Sequence, residues 1–109
     1  TNEVEQSPKM EAEISEIEKI EEMVQNKPVS LQEKVRMFNA FAASFFYDGK
    51  FSEAQRLLSA AMALDAYAPD TLRNMAYTMM ALGEKQPALE LASKMPMADF
   101  GLLYHLREI

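Results

Sequence analysis

Gly49, Lys50 and Ser52 lie close together in the stretch FFYDGKFSEAQ, residues 45–55, and raise the question of a phosphate site. A phosphate-binding loop follows a strand and needs several glycines before its lysine, so that successive backbone N–H groups can converge on the anion. Here a single glycine precedes the lysine, and the residues ahead of it are large and apolar. The stretch therefore predicts the end of one helix at Gly49 and the start of another near Ser52, without a bound phosphate.

Side chains that could catalyse a reaction or hold a metal ion are few. His105 is the only histidine and the chain has no cysteine, so a catalytic triad, a histidine pair for zinc or a thiolate site cannot be assembled. Glu18, Glu21 and Glu22 follow a continuous helical pattern without the glycine-bent loop of an EF-hand, which favours a solvated helix face. We predict no catalytic residue, no metal site and no cofactor, in a chain that is not an enzyme.

The composition indicates one helical domain. The chain has 109 residues, of which 49% are hydrophobic, with 3 glycines, 5 prolines and no tryptophan. This composition leaves little material for tight β-turns, while residues with high helix propensity abound. No apolar run approaches the roughly 20 residues that span a bilayer, so we predict a soluble chain without membrane insertion. The lack of cysteine favours the cytoplasm, where thiols stay reduced.

The excess of negative charge is confined to the front of the chain. Residues 1–26 hold eight acidic and two basic side chains, whereas residues 27–109 hold nine of each, for a net charge of −6. Nucleic-acid binding normally begins with a basic patch that releases counterions from phosphates. Since Lys and Arg form no cluster, we predict no nucleic-acid partner, and the acidic front favours a basic protein partner.

Apolar periodicity and capping residues predict an all-α chain. Residues 1–8 are polar and predicted to be disordered, and residues 9–26 are predicted to form an acidic helix with one apolar side. Capping-box spacing marks the start of the second helix at Ser30 and Glu33, and it recurs for the third helix at Ser52 and Gln55. Later boundaries are predicted at Pro69, Gly83, Pro87, Pro96 and Asp99, which leaves a C-terminal helix over residues 99–109.

The strongest internal signal is a repeat of 34 residues, which relates Ala42 to Ala76, Gly49 to Gly83 and Ala54 to Ala88. Two antiparallel helices pack closely only where small residues let their backbones approach, and the turn between them needs a residue that tolerates positive φ. Alanine and glycine meet these two needs. The repeat therefore predicts two similar helix hairpins in tandem.

This period and pattern resemble the tetratricopeptide repeat, a helix pair of 34 residues. The resemblance implies an α-solenoid of about two repeats, at residues 35–68 and 69–102, within a single domain over residues 9–109 that is capped by helices 9–26 and 99–109. The matching positions are Phe38, Phe41, Ala42, Phe45, Gly49, Phe51, Ala54, Leu58, Ala61 and Ala66 in the first repeat, and Leu72, Met75, Ala76, Met79, Gly83 and Ala88 in the second.

A second resemblance comes from the stretches DGKFSEA, ALDAYAPDT and ALGEKQPALELA taken together. They are similar to the helical-repeat chaperones of bacterial type III secretion, which are small, acidic and cytoplasmic. This resemblance implies a chaperone that holds a secreted protein before its export.

The family resemblance also implies a binding surface, because such repeats turn one side of each hairpin's first helix toward a concave groove. An aromatic and methionine strip flanked by two arginines is predicted to bind an extended or helical peptide with apolar anchors and one carboxylate. We therefore predict a protein-interaction module, acting as an adaptor or chaperone. The predicted groove residues are Arg36, Asn39, Ala43, Phe46, Asp70, Arg73, Tyr77 and Met80.

Other interpretations stay open. Helix 9–25 could fill the groove itself. The domain could instead be a structural subunit that assembles with itself or with other chains through exposed repeat ends, since each repeat exposes an apolar face that only a neighbour covers. A small enzyme is the second alternative.

Overall fold

The structure is a computed structural model that describes residues 8–94, with side chains described from Glu16 onward. Residues 8–94 form five α-helices and contain no strand, which confirms the predicted all-α class. The helices are α1 Pro8–Gln25, α2 Leu31–Tyr47, α3 Phe51–Leu64, α4 Pro69–Ala81 and α5 Lys85–Ser93. Of the segment 1–8 that the sequence predicts to be disordered, residues 1–7 lie outside the described residues, whereas Pro8 is the first residue of α1. The predicted helix 99–109 also lies outside the described residues.

Two of the helix starts have a clear local cause. Ser30 precedes α2 in an extended conformation, and its Oγ accepts a hydrogen bond of 3.1 Å from the backbone N–H of Glu33. This bond satisfies one of the N–H groups that the first turn of a helix leaves without an internal partner. Pro69 begins α4, where its fixed φ suits the helix and its missing N–H is not needed.

The predicted side-chain cap at Ser52 is wrong. Helix α3 begins at Phe51, so Ser52 lies inside its first turn, and the residue before the helix is Lys50, which makes no side-chain capping bond. The turn at Gly49 and Lys50 explains why α3 begins one residue before Ser52. The chain has already turned by Lys50, so the helix can begin at Phe51. Gln55, the other half of the predicted box, donates its amide N–H to the Glu84 carboxylate over 3.0 Å instead.

The turns after α2 and α4 have the same geometry, 34 residues apart. In the first, the N–H of Lys50 donates to the carbonyl of Phe45 over 2.9 Å, and the N–H of Gly49 donates to Phe46 over 3.0 Å. The same pair of bonds closes α4, from Glu84 and Gly83 to Met79 and Met80 at 2.7 and 3.0 Å. This Schellman pattern needs a left-handed residue after the helix, and the φ values of Gly49 and Gly83 are +80° and +81°.

The four helices α2 to α5 pack as two hairpins in tandem. Helix α2 packs against α3, and α4 packs against α5, while α3 and α2 both contact α4 across the junction between the hairpins. The largest fully buried side chains of this core include Phe38, Leu57, Leu58 and Leu72. Burying each of them stabilises the fold by roughly 1.5–3 kcal/mol. Tandem hairpins, as the 34-residue repeat predicts, are therefore the observed architecture.

Helix α1 packs against α2 and α3. Its buried side chains Ile17 and Val24 belong to the same apolar cluster as the first hairpin. An ion pair of 2.9 Å between Glu21 and Arg56 of α3 adds a polar tie at the edge of this contact. The hydrogen bond to Glu21 raises the pKa of the Arg56 guanidinium, so this side chain stays charged across the physiological pH range.

Replacing Gly49 or Gly83 by alanine should lower the free energy of unfolding by about 1–2 kcal/mol, because an L-residue is strained at positive φ. Nothing lies within 4 Å of an added Cβ at either position, so the cost comes from the backbone alone. Urea denaturation followed by circular dichroism measures the change. The control is Ser59→Ala at an exposed position of α3, which should stay within about 0.5 kcal/mol of wild type. Unchanged midpoints for both glycine variants would contradict this account of the turns.

Candidate peptide-binding groove

The predicted groove residues lie on two neighbouring helices. Arg36, Asn39, Ala43 and Phe46 are on α2, and Asp70, Arg73, Tyr77 and Met80 are on α4. Their spacing of three and four residues keeps each set on one side of its helix. Because α2 contacts α4, the two sides can form a common surface.

A pocket of about 240 Å³ opens between α2 and α4, above Leu58 of α3. It brings together three of the predicted residues, Ala43, Phe46 and Tyr77. None of its lining side chains carries a charge, and the polar groups among them are phenols, one amide and one hydroxyl. The full lining consists of Ala42, Ala43, Phe46, Tyr47, Leu58, Asn74, Tyr77 and Thr78.

Aromatic rings form one wall of this pocket. Phe46 is half-buried and meets Tyr47 edge to face, with ring centroids 5.8 Å apart, and also meets Phe51 at 5.1 Å. Tyr47 and Tyr77 are 85% and 37% exposed, so both residues reach the surface at the pocket rim. Amphipathic rings of this kind are common at protein interfaces, because they combine a large apolar surface with a polar group.

Asn39 lies on the predicted surface, but its side chain is engaged between helices. Its amide nitrogen donates to the hydroxyl of Thr71 over 2.7 Å and to the backbone carbonyl of Val35 over 2.9 Å. Its carbonyl oxygen accepts a hydrogen bond of 2.8 Å from the amide of Asn74. Thr71 is fully buried, so this bond satisfies a hydroxyl that has no access to water. Asn39 therefore joins α2 to α4.

The two predicted arginines each have an acidic neighbour on their own helix. Arg36 forms an ion pair of 2.7 Å with Glu33, and Arg73 lies 3.5 Å from Asp70. All four residues lie outside the pocket lining. These pairs reduce the positive potential that a partner carboxylate would meet.

Met80 also lies outside the pocket lining. Its side chain packs on a small alanine cluster of the second hairpin, formed by Ala76, Ala88 and Ala92. Met80, which helical periodicity assigns to the groove, therefore also packs between α4 and α5.

The sequence places Ala42 and Leu58 at repeat positions but not in the groove, and it does not single out the lining residues Tyr47, Asn74 and Thr78. Asn74 is 35 residues from its partner Asn39, so a search at the repeat offset of 34 does not pair them. Tyr47 follows Phe46 directly and is the last residue of α2. At the end of a helix, helical periodicity alone does not predict whether a side chain lines the groove. A search for polar pairs one residue off the repeat period would have found the asparagines.

Helix α1 contributes no side chain to this pocket within the described residues. Three apolar residues of α1, Ile17, Ile20 and Val24, pack on the core of the first hairpin instead. Residues 16–94 contain no group of three or more Asp, Glu or His side chains placed to hold a metal ion. No helix in the part of the chain that the structure describes is both long enough and apolar enough to cross a membrane.

A scan against protein-family models matches the tetratricopeptide repeat over residues 45–107, which includes α3, α4 and α5. The chain belongs to the tetratricopeptide repeat family. The predicted resemblance and the tandem-hairpin fold are thereby confirmed. Tetratricopeptide repeats generally mediate protein–protein interaction and are typically without enzymatic activity. No curated protein and no solved structure matches the chain significantly.

Replacing Asn39 and Asn74 by alanine, singly and together, should show that the two side chains contribute to the free energy of unfolding through a shared hydrogen bond. Each change to alanine should lower the free energy of unfolding by about 1–3 kcal/mol, since a part-buried side chain loses its hydrogen-bond partner. The double variant should lose less than the sum by about 1 kcal/mol, because both single changes break the same bond. Urea denaturation of the four proteins gives the coupling energy.

The matched control is the cycle of Glu33→Ala with Arg36→Ala, an exposed pair one helical turn apart. Its coupling should stay below about 0.5 kcal/mol. Equal coupling in the two cycles would contradict a special role for the asparagine pair.

Proposed function

We propose that this repeat protein binds a peptide or helix of a partner protein along the groove between α2 and α4, as an adaptor or a chaperone. The observation that carries the proposal is the uncharged pocket with two exposed tyrosines at its rim. An open apolar pocket on a repeat domain is the kind of surface that a partner's side chain can bury. Family membership supports the class of function, and the pocket supports the location.

The pocket is suited to binding because helices carry its exposed rings. Tyr47 is the last residue of α2 and meets the half-buried ring of Phe46, while Tyr77 lies in the middle of α4. A partner that covers these rings gains apolar contact without ordering long flexible side chains. Residues of this type account for much of the binding energy in protein interfaces.

The partner chemistry follows from the neutral lining and the acidic first helix. We propose an apolar anchor in the pocket and basic residues beside it, attracted by exposed carboxylates of α1 such as Glu16, Glu18 and Glu22. The proposal includes no specific recognition of a carboxylate, because Arg36 and Arg73 already lie beside acidic side chains.

The choice between adaptor and chaperone depends on the partner's state when free. A chaperone holds a segment that is unfolded or aggregation-prone alone, whereas an adaptor joins folded proteins. The narrower role of a type III secretion chaperone, and a cytoplasmic location, stay predictions from the sequence. The rival is a structural subunit that self-associates, which predicts dissociation on dilution in sizing experiments.

The groove can be tested with a displayed library of random peptides selected on the wild-type protein. Changing Tyr77 or Tyr47 to glutamate should weaken the selected peptides at least about tenfold, since each change adds a charge to the apolar rim. Fluorescence anisotropy of the labelled peptides measures the dissociation constants, and circular dichroism checks that the variants are folded.

Ser59→Glu is the control, because it adds the same charge at an exposed position that does not line the pocket. Binding by this variant should match wild type. If both tyrosine variants bind the selected peptides normally, the groove is not the binding surface.

The acidic first helix should accelerate association with basic peptides. Raising the ionic strength shortens the Debye length from about 30 Å at 0.01 M to about 8 Å at 0.15 M, so the association rate should fall on the order of tenfold. Stopped-flow mixing at several salt concentrations measures this slope.

A triple variant in which Glu16, Glu18 and Glu22 become glutamine should flatten the slope. Glu90→Gln, an exposed change on α5, should leave it unchanged. A rate that is independent of salt in the wild type would remove the guiding role of α1.

A further inference from the structure

Helix α1 is joined to the repeats by a longer and more exposed connection than those inside the hairpins. The connection covers residues 26–30, whereas the turns after α2 and α4 have three residues each and are closed by paired backbone bonds at a left-handed glycine. Every residue from 25 to 32 is exposed. The predicted repeat begins at residue 35 and the family match at residue 45, so neither includes α1. Helix α1 is therefore an addition to the repeats.

One side of α1 docks on the first hairpin through a regular pattern of side chains. Ile17 and Val24 lie two helical turns apart and are buried in the core at 2% and 0% exposure. Glu21 lies between them on the same side. Its carboxylate accepts hydrogen bonds of 2.9 and 3.2 Å from the Arg56 guanidinium of α3. Docking therefore matches two apolar residues seven positions apart with an acidic residue four positions after the first.

The C-terminal end of α1 is completed by a side chain of α2. The last turn of α1 contains no basic residue, although a cation there would interact favourably with the negative end of the helix. The Nζ of Lys34 supplies this cation, since it donates to the backbone carbonyl of Gln25 over 2.6 Å. We call the face of α2 and α3 that carries Lys34 and Arg56 the α1 seat. The seat recognises a helix end as well as a side-chain pattern.

The exposed charges of α1 make it a weak occupant of this seat. Glu18 and Glu22 are both exposed and lie four residues apart, where like charges destabilise a helix. Glu18 also has a favourable charge interaction with Arg56, so Glu22 is the unfavourable member of the pair. A helix with the same docking contacts and without this repulsion would bind the α1 seat more tightly than α1 does.

We propose that α1 is a displaceable helix, which opens as a unit at residues 26–30 and exposes the α1 seat to an amphipathic helix of a partner protein. The partner helix repeats the apolar and acidic spacing of α1 and has no basic residue in its last turn. A second copy is a poorer source of this helix, because each chain brings a net charge of −6. The α1 seat is distinct from the groove between α2 and α4, so this inference does not depend on the proposed function.

Native-state hydrogen exchange followed by NMR tests the opening. The amides of α1 should exchange together and at least about tenfold faster than those of Leu57 and Leu58 in α3, because α1 can open without the hairpins. Equal protection in α1 and α3 would show that α1 opens only when the whole domain unfolds, and would overturn the proposal.

Binding to the seat is tested with the full-length protein and a labelled peptide of residues 8–27, by fluorescence anisotropy. Val24→Asp in the protein should increase the affinity for this peptide at least about tenfold, because the tethered α1 no longer competes. Glu21→Arg in the protein leaves the core intact and should increase the affinity about threefold, since it disrupts only the ion pair with Arg56. Circular dichroism checks folding. If no folded variant gains affinity, α1 is merely structural and the proposal fails.

Two neighbouring changes in the peptide test whether the seat reads the pattern. On either open variant, Glu21→Lys in the peptide should weaken binding about threefold, because it places a second cation beside Arg56. Glu22→Lys should instead strengthen binding about threefold, because it turns the repulsion with Glu18 into an attraction. Adding Arg56→Glu to the protein should reverse the effect of the first change. Equal effects of the two peptide changes would overturn the proposal.

The remaining controls separate the seat from the groove and a partner from a second copy. Adding Tyr77→Glu to an open variant should change the peptide affinity by less than about twofold, because Tyr77 lines the groove. A larger loss would place the peptide in the groove and overturn the proposal. Wild type should stay monomeric at the concentrations used for binding. A dimer with nuclear Overhauser contacts between Val24 of one copy and α3 of the other would assign the seat to a second copy and overturn the proposal.

Discussion

Close approach of helix backbones at alanine positions is the constraint on which this structure depends. Five alanines on four different helices are buried to 1% exposure or less, and larger side chains there would force the helices apart. They occur in both hairpins and at the junction between them. The five are Ala42, Ala54, Ala61, Ala76 and Ala88.

The same small residues explain why a pocket exists. Ala42 and Ala43 let α2 lie near α4, but their short side chains do not fill the space that remains beside Tyr77 and Thr78. The asparagine pair prevents the helices from sliding to close this space, because its hydrogen bonds hold one register. The hydrogen-bonded polar contact between Asn39 and Asn74 therefore lies beside an apolar opening in the same helix junction.

The distribution of charge agrees with a division of roles across the molecule. The acidic residues of α1 are exposed, whereas its apolar side supports the first hairpin through Ile17 and Val24. The pocket itself is neutral. The acidic residues of α1 would then attract a partner over a long range, and this attraction would depend on salt. The pocket would select the partner at short range, through its shape and hydrogen bonding.

The sequence by itself determined the helices, their order and the two repeated turns, because these features depend on residues within one or two turns of each other. Positive φ at Gly49 and Gly83, the cap at Ser30 and the apolar spacing are local signals that a single chain reveals. Ala43, Phe46 and Tyr77 could also be placed on one surface from helical phase and the family period. Only tertiary structure decided that Asn39 bonds across to Asn74 and Thr71, that Met80 packs within the second hairpin, and that Tyr47 forms the rim. These outcomes depend on the rotation of α2 against α4, which the packing of the whole core sets and which no local pattern encodes.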